Sequence, residues 1–193
     1  DVTLFNRTLL DLLNGKEVNL PEFNFRLGKK EYKGKTLKLG DDDIVIVEGL
    51  HAINEKLTPA IEAKNKYKIY ISPLTQLNID NHNRIHTSDI RRLRRMVRDN
   101  NFRGYSASDT LNSWSSIRTG EEKYVFPFQD EADIVINSSL LYEIGVLKLY
   151  AEPLLFSVKE NEDCYPEAIR LINFLRNFLA LPSENVPKDS VLR

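Results

Sequence analysis

Apolar and polar positions change their spacing several times along this chain, and each change marks an element. Over residues 3–14, Leu4, Phe5, Leu9, Leu12 and Leu13 recur on one side of a helix, and Asn14-Gly15 ends it. From Val18 to Leu39 apolar and polar residues alternate around Gly28 and Gly34, the pattern of a β-hairpin or two short strands projecting from a sheet. Ile44 to Val47 is an unbroken branched apolar run, which predicts a strand buried on both faces. A short helix over His51–Leu57 follows, then a second buried strand over Tyr67–Ser72, closed by Pro73. The spacing predicts a long helix over Thr75–Asn100, a break at Gly104, and a further helix capped by Ser106 or Ser108. Asp133–Ser139 reads as a third strand with a polar exit. The remainder is mostly helical, over Leu141–Leu155 and Tyr165–Leu181, with Pro166 in a first turn.

Strands separated by helices predict an α/β fold with parallel strand pairs. Such sheets bind ligands beyond the carboxyl ends of their strands, so Glu48, at the end of the central run, reads either as a metal or water ligand facing a phosphate or as an acidic residue that starts a loop. Three core strands are visible where a doubly wound sheet has about five. That shortfall, with a start at Asp1 inside a helical pattern, predicts one domain that lacks an N-terminal part.

Composition narrows the partners. Among 193 residues the formal charge is −1, so no global field draws the chain to nucleic acid or to a membrane. No apolar run is long enough to span a bilayer. Cys164 is the only cysteine, which excludes an intrachain disulfide and fits a cytoplasmic location.

Charge is nonetheless concentrated. From Arg84 to Arg103 there are seven arginines, set against Asp89 and Asp99. On a helix, Ile90, Leu93 and Val97 make a packing stripe, and Arg91, Arg95 and Arg98 make a cationic stripe beside it. Arg103 follows, next to Gly104. Guanidinium forks suit phosphate oxygens and hold their charge at any physiological pH. A triphosphate undergoing transfer needs such groups, and a nucleic-acid backbone accepts them too. The plainer alternative is a solvated basic helix paired to Asp89 and Asp99.

Other candidates carry less. His82 and His86 lie four apart, but no H-E-x-x-H run or carboxylate cluster accompanies them, and the spacing argues against a metal site. His51 follows the strand end and either lines a pocket or starts a helix. Cys164 has no base near it in sequence. Phe126 and Phe128 read as core anchors. The apolar positions of Phe174–Leu181 form an amphipathic face that packs on the sheet or makes a homo-oligomer; the sequence does not choose.

The runs "IVIVEG", "YKIYIS", "DIRRLRRMVRDNNFRG" and "EADIVINSS", in this order and spacing, resemble the uridine kinase branch of the phosphoribulokinase/uridine kinase family. The resemblance extends from Asp1 to about Ser139 and weakens beyond Leu140. It is nearest to the kinase-like C-terminal module of long bacterial proteins whose N-terminal part is similar to the front of threonyl-tRNA synthetase. It implies a partial P-loop kinase fold with a substrate hairpin over residues 22–39, a helical lid region over 75–120 and a helical part over 140–193. It also implies a phosphotransferase using ATP and magnesium, which transfers phosphate to a nucleoside 5′-hydroxyl. Glu48 falls near the magnesium of that family. Arg95, Arg98 and Arg103, with Arg91 on the same stripe, fall where its lid meets phosphates. Phe23, Phe25 and His51 fall in or beside its nucleoside grip.

The departures bear on activity and selectivity. The eight glycines never combine into a G-x-x-x-x-G-K-[ST] run, so the phosphate cradle of that family is not in this sequence. Phe23 stands in place of a tyrosine, Gly28 of a histidine and Tyr105 of an arginine. The expectation is therefore a kinase module that is inert by itself and active in a longer protein. The rival is a non-catalytic module that binds a nucleotide or RNA through the same arginines.

Overall fold

The computed structural model describes residues 1–24, 27–190 and 192. Five helices of three turns or more form among these: α1 (Val2–Leu13), α2 (Thr87–Arg103), α3 (Ala107–Tyr124), α4 (Glu143–Phe156) and α5 (Tyr165–Leu175). Four strands accompany them: β1 (Val18–Asn24), β2 (Lys29–Leu37), β3 (Ile69–Ser72) and β4 (Ile134–Asn137). The fold is α/β, with an antiparallel pair β1–β2 and a small parallel pair β3–β4. Parallel direction follows from the ladder, in which Asp133 N–H meets Lys68 O and Ser138 N–H meets Ser72 O. Two compact units divide the described residues, Asp1–Tyr70 with Arg118–Val135 and Ile71–Ile117 with Ile136 onward, the division falling inside β3, α3 and β4.

In the first unit, α1 begins at Asp1, whose side chain accepts the Leu4 N–H at 3.0 Å. Its buried face holds Leu9, Leu12 and Asn6. Asn6 stays satisfied by donating to Val2 O and Leu57 O, both at 2.8 Å, and this ties the helix to the turn over Glu55–Leu57. Glu55 receives Lys66 and Lys68, at 2.5 and 2.6 Å. The hydrogen bond from Lys66, then that from Lys68, holds its carboxyl below the usual range.

The second unit is built on helices. Ile90, Leu93 and Met96 of α2 are fully buried, with Leu111 of α3, Leu147 and Leu155 of α4 and Leu171 and Leu175 of α5 in the same core. The expected α2 stripe is present, with Met96 at its centre and Val97 half-buried at its edge. Ser106 caps α3 reciprocally, its Oγ accepting Asp109 N–H while Asp109 accepts Ser106 N–H.

Several expected elements are different. Ile44–Val47 forms no strand, and Ile44 and Ile46 are 86% and 88% exposed. A strand exists only with a ladder partner, and among the described residues none pairs with this run. The predicted helix over Thr75–Asn100 begins only at Thr87. Asp80 folds the preceding segment into a turn by accepting His82 and Asn83 N–H at 2.8 Å, next to an Asn78–Arg84 bridge. His51–Leu57 keeps a single 3₁₀ turn. The last helix stops at Leu175, because Lys148 Nζ takes the carbonyls of Leu175 and Phe178, at 3.0 and 2.9 Å, and ends the ladder there. Leu179 is then exposed, so Phe174–Leu181 is not one amphipathic helix.

Gly145 is where the tail meets α4. A Cβ at this position would lie 2.8 Å from both Leu179 O and Leu181 Cγ, and Leu181 N–H donates to Gly145 O at 3.0 Å. Gly145→Ala is expected to destabilise by about 1–3 kcal/mol, since backbone must shift to admit a methyl. Thermal unfolding checks this, and an unchanged midpoint contradicts the close approach.

Candidate phosphate site

Helix α2 places its arginines in two groups. Arg92 and Arg94 turn inward: Arg92 stacks 4.8 Å from the Trp114 ring and pairs with Glu167, while Arg94 pairs with Glu143 of α4. Asp89 in the first turn takes both guanidinium nitrogens of Arg170, at 2.6 and 3.0 Å, binding α5 to α2. These contacts are structural, and they explain why one helix carries so many arginines.

The second group gathers on the last turns of α2. Asp99 has 2% of its side chain exposed. Its Oδ1 accepts Arg98 Nε at 2.8 Å and Arg103 Nη1 at 3.1 Å, with Arg98 Nη2 at 2.7 Å. Its Oδ2 lies 3.2 Å from Arg95 Nε. Gly104 then ends the helix at φ 72°, in the left-handed region that favours glycine, its N–H returning to Asp99 O. Tyr105 N–H reaches the same carbonyl at 3.2 Å. Three guanidinium groups thus gather on one carboxylate. Arg98 is half exposed, at 48%, whereas Arg95 and Arg103 are mostly covered, at 31% and 25%, and the Nε of Arg95 is buried.

Three predicted phosphate contacts are therefore brought together: Arg95, Arg98 and Arg103. Arg91 lies half-buried on the same helix, two turns before Asp99. The remaining predicted residues belong to the first unit. Glu48 is exposed in a non-strand segment just before a turn in which Ala52 N–H returns to Gly49 O. His51 is exposed and meets the Tyr124 ring edge-on, with centroids 5.7 Å apart. Phe23 is half-exposed on β1, paired across the hairpin with Lys30. Phe25 lies outside the described residues. Asp99 escaped notice in the sequence except as a generic partner. The signal was present in the i, i+4 spacing of Arg95, Asp99 and Arg103, which puts one arginine a turn before the carboxylate and one a turn after it.

Guanidinium groups such as those of Arg95, Arg98 and Arg103 are donors of the kind that polyphosphate oxygens accept. Magnesium usually takes one or two carboxylates and completes its shell with water and substrate phosphates. Among the described residues no group of three or more His, Cys, Asp and Glu gathers into a cage. Glu48 is a single exposed carboxylate. No helix among the described residues is long and apolar enough to cross a membrane.

The model of the Phosphoribulokinase / Uridine kinase family matches residues 1–143, a span that includes the hairpin, α2, α3 and β4. Uridine kinases of Staphylococcus aureus strains JH9, Newman and MW2 are each 28% identical over 137 residues, covering 70% of this chain. The chain spans 58% of the length of these relatives. No solved structure matches it.

Proposed function

The chain belongs to the phosphoribulokinase/uridine kinase family, and from that membership we propose that it is the lid-and-hairpin portion of a nucleoside kinase. In the complete protein, phosphate passes from ATP to a nucleoside 5′-hydroxyl of uridine type. Arg95, Arg98 and Arg103 bind phosphate oxygens and offset the charge that develops on them, and Phe23 of the hairpin and His51 are nucleoside contacts. Bound magnesium would neutralise charge on the phosphates, and Glu48 would hold its water. The observation that supports this reading best is the gathering of three arginines on Asp99 at one helix end, inside the family match. The sequence has no G-x-x-x-x-G-K-[ST] cradle, so the 193-residue chain alone is expected to transfer no phosphate.

The test compares this chain with the complete protein in ATP-dependent phosphorylation of uridine and of other nucleosides. Transfer by the complete protein alone is the expected result. Transfer by neither, together with salt-sensitive binding of a single-stranded RNA, would replace the kinase by the non-catalytic binding module. That second reading would use the same arginines on a nucleic-acid backbone.

A further inference from the structure

We propose that Asp99 is the positioning residue of the phosphate site: a buried carboxylate that assembles Arg95, Arg98 and Arg103 into one preformed receptor for a polyphosphate. This rests on the reading of those arginines as phosphate ligands. A carboxylate there for stability alone would need one arginine. Here three converge, two on Oδ1 and one on Oδ2. Three cations within reach of one another repel, and each long side chain loses rotamer freedom when it is held. Asp99 offsets both costs before any ligand arrives. Its own carboxylate is buried, with 2% of the side chain exposed, while Arg98 on the same oxygen is 48% exposed. Its carbonyl also accepts the N–H groups of Gly104 and Tyr105, so the same residue fixes the helix end that carries Arg103.

Two physical pictures predict opposite signs for Asp99→Asn. If Asp99 were only a negative charge near an anion site, its removal would tighten anion binding. If it positions the arginines, its removal weakens binding, because the asparagine amide accepts poorly and repels guanidinium donors with its own NH₂. The experiment is calorimetric titration of inorganic tripolyphosphate into the chain and its Asp99→Asn, Asp99→Glu and Arg98→Gln variants, with the folded fraction of each followed by circular dichroism. The expected result is about tenfold weaker binding for Asp99→Asn, of the order of one charge-assisted hydrogen bond, an intermediate loss for Asp99→Glu, and strong coupling between D99N and R98Q in the double variant. Unchanged or tighter binding by folded D99N, with R98Q impaired, overturns the role of Asp99 and leaves the phosphate site standing. If neither D99N nor R98Q alters binding, the phosphate site itself fails. Should D99N not fold, D99E decides, and wild-type affinity in D99E overturns the proposal.

Discussion

Arg94→Met is expected to destabilise the helical unit by about 3–5 kcal/mol at pH 7.5, and by clearly less at pH 5. Glu143 opens α4 with 2% of its side chain exposed, and Arg94 is its partner. Arg94 Nε donates to Glu143 Oε2 at 3.0 Å, and Nη2 donates to both Glu143 and, at 2.7 Å, Ser138 O. Methionine fills a similar volume but leaves a carboxylate buried without a counter-charge and a carbonyl without its donor. Removing one member of a buried pair costs far more than the pair contributes.

The pH dependence follows from the direction of the Glu143 shift. Burial pushes its carboxyl above the usual range, and Arg94 opposes that. A raised carboxyl keeps its proton in the folded state at pH values where the unfolded chain has lost it, so stability falls as pH rises through the folded pKa. Without Arg94 the carboxyl rises further, and the window of falling stability extends toward neutrality. At pH 5 the variant can bury a neutral acid; at pH 7.5 it must bury a charge or take up a proton at cost. Urea unfolding at the two pH values, followed by circular dichroism, reads this directly. Adding Glu143→Gln to the variant should recover most of the loss at pH 7.5. Equal losses at both pH values, with no recovery, would mean that Glu143 is not the source.

Much of the second unit was legible in the sequence because its helices announce themselves locally. The Ile90–Leu93–Val97 spacing placed α2 correctly against its core, and the break expected at Gly104 is its C-cap, although the helix runs on past the expected end at Asn100 to Arg103. The partners of Arg92 and Arg94 were not legible. Glu167 and Glu143 are distant in sequence and meet α2 only after α4 and α5 have packed. Ile44–Val47 shows the opposite limit. Branched residues in a row report burial in a sheet, but burial and pairing are properties of neighbours, and here no described strand supplies them. The segment before α2 failed for a local reason, since an aspartate accepting two backbone N–H groups outcompetes one more turn of helix.

In the complete protein, Arg98→Ala and Arg103→Ala should each lower kcat for ATP-dependent phosphate transfer by about 10²–10³-fold, with a smaller effect on the KM for the nucleoside. Phosphoryl transfer passes through a loose transition state, in which charge spreads over the equatorial oxygens and the bridging oxygen that departs. A guanidinium fork placed there interacts more strongly with the transition state than with bound ATP, so its loss falls on kcat. Both residues share Asp99 Oδ1, so removing either changes how that oxygen holds the other, and the double variant should lose less than the product of the single losses. Arg98→Lys separates charge from geometry. Lysine keeps the charge but offers no planar fork, and it cannot both hold Asp99 and present two parallel donors to a phosphate. Its kcat should fall between those of wild type and Arg98→Ala. If Arg98→Lys matches wild type, only charge is required and the gathered geometry is incidental. A kcat within twofold of wild type for both alanine variants would remove these arginines from the transfer step and leave them the task of ending α2.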